Sequence, residues 1–289
     1  LSFAGVLGFV LISGYFGIRF SWSKVFKLEC TAFFCALWVT FLGESIARST
    51  FHVFSAATFK QVIAIWKWYW FVHAYVFLMC LAPLVPDIQK NKESLIKAFS
   101  PVILAVYGWS FLTLVPGVQA YVPQTAGLTA YSGITMLAVY LIGRLYRAYG
   151  NKHLNAWLVY SGAVIGGLVA LLSGDCCLHW GGVFARYNSP FLFLLGFGLF
   201  FFFHQVLPVS SPSSRVQSLL AIIAPSILSV YLIHCNVYGY KALEFLEGNF
   251  LWCPVSLRIL LVALLAFIAS LVLDIPRRVL VRCVSFLCV

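Results

Sequence analysis

Apolar runs of about 20 residues recur along this chain and are separated by short connections. A hydrocarbon core about 30 Å thick is crossed by roughly 20 apolar residues in a helix, which satisfies its own backbone hydrogen bonds. Of the 289 residues, 62% are hydrophobic and 9% are charged, against about 25% charged in soluble domains. The chain is therefore predicted to be all-α, a polytopic transmembrane helical bundle.

Nine helical spans are predicted from the apolar runs and the turn residues between them. They cover Ser2–Ile18, Leu28–Ala47, Trp66–Val85, Ala98–Pro116, Leu128–Tyr149, Leu154–Leu172, Pro190–Val206, Leu219–Tyr240 and Val255–Leu273. No connection between them is long and polar enough to form a soluble domain. We therefore expect residues 1–289 to form a single integral-membrane domain.

The positions of lysine and arginine predict the orientation of the spans, because these residues concentrate in cytoplasmic connections. Thirteen of the 19 basic residues lie on one side and six on the other. This distribution predicts a cytoplasmic C-terminus and an external Leu1, and an apolar start outside predicts one preceding helix, which would make ten spans. The same residues account for the net charge of +11, which does not indicate a nucleic-acid partner.

Two histidines within apolar runs are the candidate catalytic residues. His234 lies in the run Ala224–Tyr240, and His73 lies in the third span. Lipid offers an ionisable side chain no partner, so each histidine must face protein or water, and we expect both to face a common cavity. A histidine that is hydrogen-bonded inside the bundle is the alternative for each. The sequence contains no HExxH, GxSxG or CxxC motif, and no metal is predicted.

Aromatic residues are the candidates for binding a sugar-sized acceptor. Helical spacing predicts that one face near the outer end of the third span carries Trp66, Trp70, His73 and Phe77. Tyr231, three residues before His234, is a further candidate. A packed aromatic stripe is the alternative interpretation of this pattern.

Basic residues at the predicted cytoplasmic ends are the candidates for binding the phosphates of a cofactor. Arg19, Lys24 and Lys27 follow the first span, and Arg144 lies with Arg147 at the end of the fifth. Arginine and lysine form strong charge-assisted hydrogen bonds with phosphate. The alternatives are a topology signal for the first group and snorkelling to the interface for the second.

Six segments spread over the whole chain carry a family resemblance. They are FVLISGYFGI (9–18), WYWFVHAYVFLMCLAPL (68–84), VYLIGRLYR (139–147), YNSPFLFLLGFGLFFFF (187–203), PSILSVYLIH (225–234) and LDIPRRVL (273–280). In this order and spacing they resemble acyltransferase family 3, especially its bacterial members that O-acetylate surface polysaccharides. Members of that family have about ten helices with both ends inside, as the distribution of basic residues independently predicts.

The resemblance implies an O-acyltransferase of the bacterial cytoplasmic (inner) membrane. It would transfer an acetyl or other small acyl group from cytoplasmic acetyl-CoA to a hydroxyl of an extracytoplasmic polysaccharide or glycolipid, without a metal. A histidine would act as general base or carry the acyl group covalently. The donor would be bound by Arg19, Lys24, Lys27 and Arg144, and the acceptor by Trp66, Trp70 and Tyr231.

The sequence departs from the family's pattern at two points. The family's characteristic histidine and its partner arginine lie in and just before the first helix, which here is expected to precede Leu1. His73 and His234 are therefore the predicted stand-ins. The basic pair after ISGY is often two arginines, whereas here it is Lys24 and Lys27, which bind phosphate without the two-point fork of arginine.

Two other functions are compatible with the sequence. One is a transporter or flippase of a lipid-linked saccharide, and the other is a truncated family member without activity. A transferase needs a histidine that both membrane faces can reach, whereas a transporter needs alternating gates and usually has broken helices. Whether the helices near the histidines are broken or continuous therefore bears on the choice between a transferase and a transporter.

Overall fold

The computed structural model describes residues 2–48, 56–85, 92–113, 131–150, 155–176, 186–206 and 214–287. Every regular element within these ranges is a helix, and no strand occurs in them. The prediction of an all-α chain is therefore confirmed. The predicted span ends at Pro116, Leu128 and Leu154 lie outside the described residues.

The described helices are numbered in chain order. They are α1 (Ser2–Phe16), α2 (Trp22–Arg48), α3 (Ala56–Trp68), α4 (Trp70–Leu81), α5 (Lys92–Thr113), α6 (Gly133–Leu145), α7 (Ala156–Cys176), α8 (Pro190–Val206), α9 (Ser214–Ile223), α10 (Ile227–His234), α11 (Val237–Asn249), α12 (Val255–Leu273) and α13 (Ile275–Leu287). Short 3-10 turns occur at Ala82–Leu84 and Ala224–Ser226, and a π-helical turn at Tyr146–Gly150 continues α6.

Several of these helices are long and apolar enough to cross a membrane. Three qualify by themselves, namely Trp22–Ile46, Gln217–His234 and Val255–Val281. Thr58–Lys67 and Trp70–Leu84 form a fourth candidate if a pair bent by 53° counts as one span. The helices thus fit a membrane protein, as predicted, while the number of nine spans stays a prediction.

The chain divides into two compact units, each assembled from two stretches of sequence. Unit 1 comprises Leu1–Ser21 and His73–Ser210, and unit 2 comprises Trp22–Val72 and Ser211–Val289. Unit 1 therefore contains α1, α5 to α8 and most of α4, while unit 2 contains α2, α3 and α9 to α13. The single domain predicted for residues 1–289 stays a prediction.

Glycines allow the helices of unit 1 to pack at close range. A Cβ on Gly14 of α1 would overlap the carbonyl oxygen of Tyr140 in α6. A Cβ on Gly143 of α6 would likewise overlap the carbonyl oxygen of Leu11. Gly166 of α7 faces the backbone of α8 in the same way. Small residues at helix crossings are typical of membrane bundles, where close backbone approach supplies packing energy.

In unit 2, α3 runs antiparallel to α2. The Thr58 hydroxyl donates to Glu44 Oε2 at 3.0 Å, and at the other end Trp66 Nε1 donates to Glu29 Oε2 at 3.0 Å. The buried core of the unit lies along α2 and α3 and also receives residues from the junction with α4 and from α10. Its members are Ala32, Cys35, Ala36, Val62, Ile65, Tyr69, Val72 and Leu232.

The predicted start of the third span at Trp66 is wrong. The helix begins at Ala56, and Tyr69 separates it from α4, so Trp66 lies in the last turn of α3. Trp66 is therefore not on one continuous helical face with the aromatic residues of α4. The apolar run does not reveal the early start of α3, because Lys60 and Lys67 interrupt the apolar pattern. Both lysines are exposed, on the side of α3 opposite its buried residues.

The predicted span Leu219–Tyr240 is also interrupted. Pro225 lies in the 3-10 turn between α9 and α10, and α10 ends at His234. Asn236 then starts α11, because its Oδ1 accepts a hydrogen bond from the Tyr238 amide at 2.9 Å. An asparagine in this position satisfies an amide that the helix leaves unpaired. The prediction of a continuous helix is therefore wrong beyond His234.

A buried ion pair ties α13 to the 3-10 turn that precedes α10. Arg277 donates to both carboxylate oxygens of Asp274, at 2.6 and 2.8 Å, and to the carbonyl oxygen of Pro225 at 2.9 Å. The Ser226 hydroxyl donates to the same carboxylate at 2.6 Å. These bonds join two of the six segments that carry the family resemblance, PSILSVYLIH and LDIPRRVL.

Candidate functional site

Tyr15, Tyr146 and His204 form a group in unit 1, called here the tyrosine–histidine cluster. His204 Nε2 lies 3.1 Å from the Tyr15 hydroxyl, and His204 Nδ1 lies 3.3 Å from the Tyr146 hydroxyl. A neutral imidazole donates from one ring nitrogen and accepts at the other. One tyrosine therefore donates to the ring and the other accepts from it, whereas a protonated ring would donate to both. His204 thus joins Tyr15 and Tyr146 through its two ring nitrogens.

The cluster also brings the C-terminal ends of three helices together. Tyr15 lies at the end of α1, Tyr146 follows α6, and His204 lies at the end of α8. These helices lie within the predicted first, fifth and seventh spans. An alternating topology directs all three toward the same side of the membrane, so their convergence is consistent with that topology.

Two arginines flank the cluster and differ in what they bind. Arg147 Nη1 donates to the carbonyl oxygens of Tyr15 and Phe16, at 3.0 and 3.1 Å, which caps the end of α1. Arg144 reaches Gly17, whose φ is +84°, and a Cβ on Gly17 would come within 2.7 Å of Arg144 Nη1. Arg144 Nε is buried and makes no hydrogen bond in the described part of the chain. Arg144 thus retains an unused donor, whereas Arg147 has a structural role.

The other predicted phosphate-binding residues are exposed and belong to different units. Arg19 lies in unit 1, just after the end of α1. Lys24 and Lys27 lie in unit 2, on the first two turns of α2. Exposure leaves their charged groups available to an anionic ligand. Their role in binding a donor stays a prediction.

His234 is the last residue of α10 and is half-buried in unit 2. Its Nδ1 forms a hydrogen bond with the carbonyl oxygen of Val230, one turn earlier. A carbonyl oxygen can only accept, so Nδ1 carries the proton and the Nε2 of the neutral ring has a free lone pair. A histidine held in this way can accept a proton from a substrate hydroxyl.

His73 belongs to unit 1 and is half-buried on α4. Two residues further along the helix, the Tyr75 hydroxyl lies 3.1 Å from the Ser13 hydroxyl of α1. His73 and His234 thus belong to different units. The expectation that they face a common cavity stays a prediction.

Two of the predicted acceptor-binding residues share an aromatic neighbour in unit 2. The ring centroids of Tyr231 and Phe71 are 5.6 Å apart in an edge-on arrangement. Trp70 packs edge-on against the same Phe71, with centroids 5.9 Å apart. Edge-on packing of this kind stabilises an aromatic core as readily as it prepares a sugar site. The structure therefore keeps both interpretations of Trp70 and Tyr231.

Trp66, predicted near the outer end of the third span, lies beside the first turns of α2. Its hydrogen-bond partner Glu29 is two residues beyond Lys27 in α2. Trp66 is therefore level with the start of α2, where Lys24 and Lys27 form the predicted cytoplasmic group. The predicted outer position of Trp66 and the predicted cytoplasmic position of Lys24 and Lys27 therefore exclude each other, and the role of Trp66 in binding an acceptor stays a prediction. The cause is the early start of α3, which the apolar run alone does not reveal.

Sequence reasoning missed His204. It ends the aromatic run LFFFFH of α8 and is an ionisable side chain within a predicted span. The rule that singled out His73 and His234 applies to it equally. The two tyrosines that bind it lie 58 and 189 residues away in the chain, so only the fold reveals the cluster.

Comparison with models of protein families, with curated proteins and with solved structures finds no match. The function must therefore be argued from the residues and their geometry.

Proposed function

We propose that this chain is a membrane O-acyltransferase. It would move an acetyl or other small acyl group from cytoplasmic acyl-CoA to a hydroxyl of an extracytoplasmic glycan or glycolipid. The observation that carries the proposal is His234, whose Nδ1 is held by the Val230 carbonyl at the end of the membrane-capable helix Gln217–His234. An ionisable group in such a helix is costly, so its presence favours a functional role.

The chemistry follows from the free lone pair of His234. The acceptor hydroxyl oxygen adds to the thioester carbonyl carbon while His234 Nε2 takes the hydroxyl proton. The carbonyl π electrons move onto the oxygen and return when the carbon–sulfur bond breaks. The CoA thiolate leaves and receives the proton from the imidazolium. The acceptor is then an ester, and His234 is neutral again.

The exposed basic residues support binding of the donor. The phosphates of acyl-CoA carry several negative charges, which Lys24, Lys27 and Arg19 would attract from the cytoplasm. Arg144 would contribute from the end of α6. The proposal includes a bacterial inner-membrane location, nine or more spans and a cytoplasmic C-terminus, of which the excess of basic residues on one side supports the last.

A transporter or flippase of a lipid-linked saccharide is the second candidate. The observation that favours it is the break between α3 and α4 at Tyr69, together with the break between α10 and α11 at residues 235–236. Broken helices near the middle of a membrane are typical of transporters, which bind substrates at such points. A transferase that accepts substrates from both faces also needs access paths, so the breaks do not exclude it.

The two candidates differ in the fate of the acyl group. Proteoliposomes containing the purified protein would be given acetyl-CoA labelled in the acetyl group and a lipid-linked saccharide labelled in the sugar. An acyltransferase yields saccharide that carries both labels. A flippase yields saccharide that has changed leaflet and carries only the sugar label. Absence of acetyl label from the saccharide would reject the transferase.

A further inference from the structure

A buried polar network holds the start of α10. Ser226, the last residue of the 3-10 turn, is fully buried, and its hydroxyl donates to Asp274 Oδ2 at 2.6 Å. Arg277 donates to the same carboxylate and to the Pro225 carbonyl oxygen, at 2.8 and 2.9 Å. Both ionisable groups lie in a membrane-capable segment, where such groups are costly and favour a functional role. The acyl transfer proposed above does not yet use this pair.

The network is connected to His234 through one short helix. α10 has eight residues, so about 12 Å of helix separates its two ends. It is interrupted on both sides, by the 3-10 turn before it and by residues 235–236 after it. His234 is its last residue, and the imidazole is bonded to the Val230 carbonyl oxygen within the same helix. A shift at the start of α10 therefore carries the imidazole with it.

The bonds at the start of α10 fix two successive residues. Arg277 binds the backbone at Pro225, and Asp274 binds the side chain of Ser226. Asp274 lies between α12 and α13 and also accepts two hydrogen bonds from Arg277, so each donor orients the carboxylate for the other. Hydrogen bonds to a charged group are short and directional. They therefore define where α10 begins more sharply than apolar contacts would.

We propose that Asp274 is a positioning residue for His234. It holds the start of α10 through Ser226, and α10 sets where the imidazole lies. This inference rests on the proposed acyl transfer. A general base must lie within hydrogen-bond reach of the hydroxyl whose proton it takes, and a displacement of about 1 Å lowers the rate strongly. Asp274 acts only through α10 and does not itself touch the reacting atoms.

Ser226→Ala uncouples α10 from Asp274 and leaves the ion pair intact. Arg277 still donates two hydrogen bonds to the carboxylate, so no buried charge loses its partner and the variant should fold. We expect kcat for acetyl transfer to fall about 10-fold, with little change in KM for acetyl-CoA. Ser270→Ala is the matched control, because Ser270 is also buried but donates to its own helix, at the Ala266 carbonyl oxygen. It should keep the wild-type rate.

A double-mutant cycle with His234→Gln separates positioning from general stability. If the network acts through His234, Ser226→Ala lowers the rate about 10-fold where His234 is present and leaves the residual rate of His234→Gln unchanged. A loss of stability alone would lower both rates by the same factor. Three results would overturn the proposal: a wild-type rate in Ser226→Ala, the same fall in Ser270→Ala, or an equal fall with and without His234.

The wild-type protein in the same assay distinguishes failure of this inference from failure of the proposed function. The full chain in proteoliposomes is given labelled acetyl-CoA and a glycan acceptor. Transfer by wild type together with any of the three contrary results leaves the acyltransferase standing and removes the positioning role. No transfer by wild type would reject the acyltransferase itself, and this inference with it.

Discussion

At the residue scale, the most deeply buried ion pair in the described residues is between Asp274 and Arg277. The Asp274 carboxylate is 1% exposed and receives two hydrogen bonds from Arg277 and one from Ser226. Removal of one partner from a buried pair leaves the other charge unpaired. The pair therefore holds α13 against the turn before α10.

Asp274→Asn should destabilise the protein by about 3 to 5 kcal/mol, because Arg277 would be left without its counter-charge. The measurement is the midpoint of thermal unfolding in detergent, followed by size-exclusion chromatography. Glu247→Gln is the control, since Glu247 lies 3.9 Å from Arg258 and its side chain is 60% exposed. Equal midpoints for the two variants would show that the buried pair contributes nothing.

Single residues were predicted unevenly from the sequence. His234 and His73 stand out because an ionisable group in an apolar run has few explanations, and the same reasoning covers His204. The distinction between Arg144 and Arg147 could not be predicted. Both lie in one short motif, yet Arg147 caps α1 through two carbonyl oxygens while Arg144 Nε remains unpaired within the described residues. That difference depends on a helix more than 100 residues away in the chain.

At the element scale, the crossing of α1 and α6 depends on two glycines. A Cβ at Gly143 would meet the backbone oxygen of Leu11, which cannot rotate away as a side chain can. Gly143→Ala should therefore push the helices apart and destabilise unit 1 by about 1 to 3 kcal/mol. Thermal unfolding in detergent measures the effect.

Gly5→Ala is the control for that substitution. Gly5 lies in α1 with nothing within 4 Å of an added Cβ, so alanine should leave the stability unchanged or raise it slightly. A Gly143→Ala protein as stable as the control would mean that α1 and α6 do not cross at these glycines.

The helix boundaries show where apolar patterns stop being informative. Most predicted spans overlap a helix, because length and composition decide which segments can be helical in lipid. The break at Tyr69 has no proline or glycine to mark it, and it arises where α3 has finished packing along α2. The break at Asn236 does carry a signal, since asparagine is a favourable N-cap, but inside an apolar run this signal is easily overlooked.

At the scale of the whole molecule, the convergence of α1, α6 and α8 predicts that the segments after α6 and α8 lie on one side of the membrane. Reporter fusions after Gly150 and after Val206 should both give fluorescent green fluorescent protein and inactive alkaline phosphatase. Asn249 lies between the predicted eighth and ninth spans, on the predicted outer side. A fusion after it should therefore give non-fluorescent green fluorescent protein and active alkaline phosphatase. Opposite results for the first two positions would contradict the topology.

Composition alone establishes the class of the molecule, and the arrangement of its units does not follow from it. A chain with 62% hydrophobic residues and few charges must satisfy its backbone inside helices. The division into two units of interleaved sequence depends on contacts between distant helices. Trp66 and Lys27 illustrate this, since sequence reasoning assigned them to opposite faces and the structure brings them to one end of α2 and α3.

The central claim is that His234 accepts a proton during acyl transfer. The most direct test measures transfer of labelled acetyl from acetyl-CoA to cell-surface polysaccharide in membrane vesicles containing wild type or His234→Gln. Cys235→Ala, an exposed neighbour in the chain, controls for local disturbance. The account predicts transfer by wild type and by Cys235→Ala, and a loss of about 100-fold or more in His234→Gln. Equal transfer with and without His234, or no transfer by wild type, would contradict it.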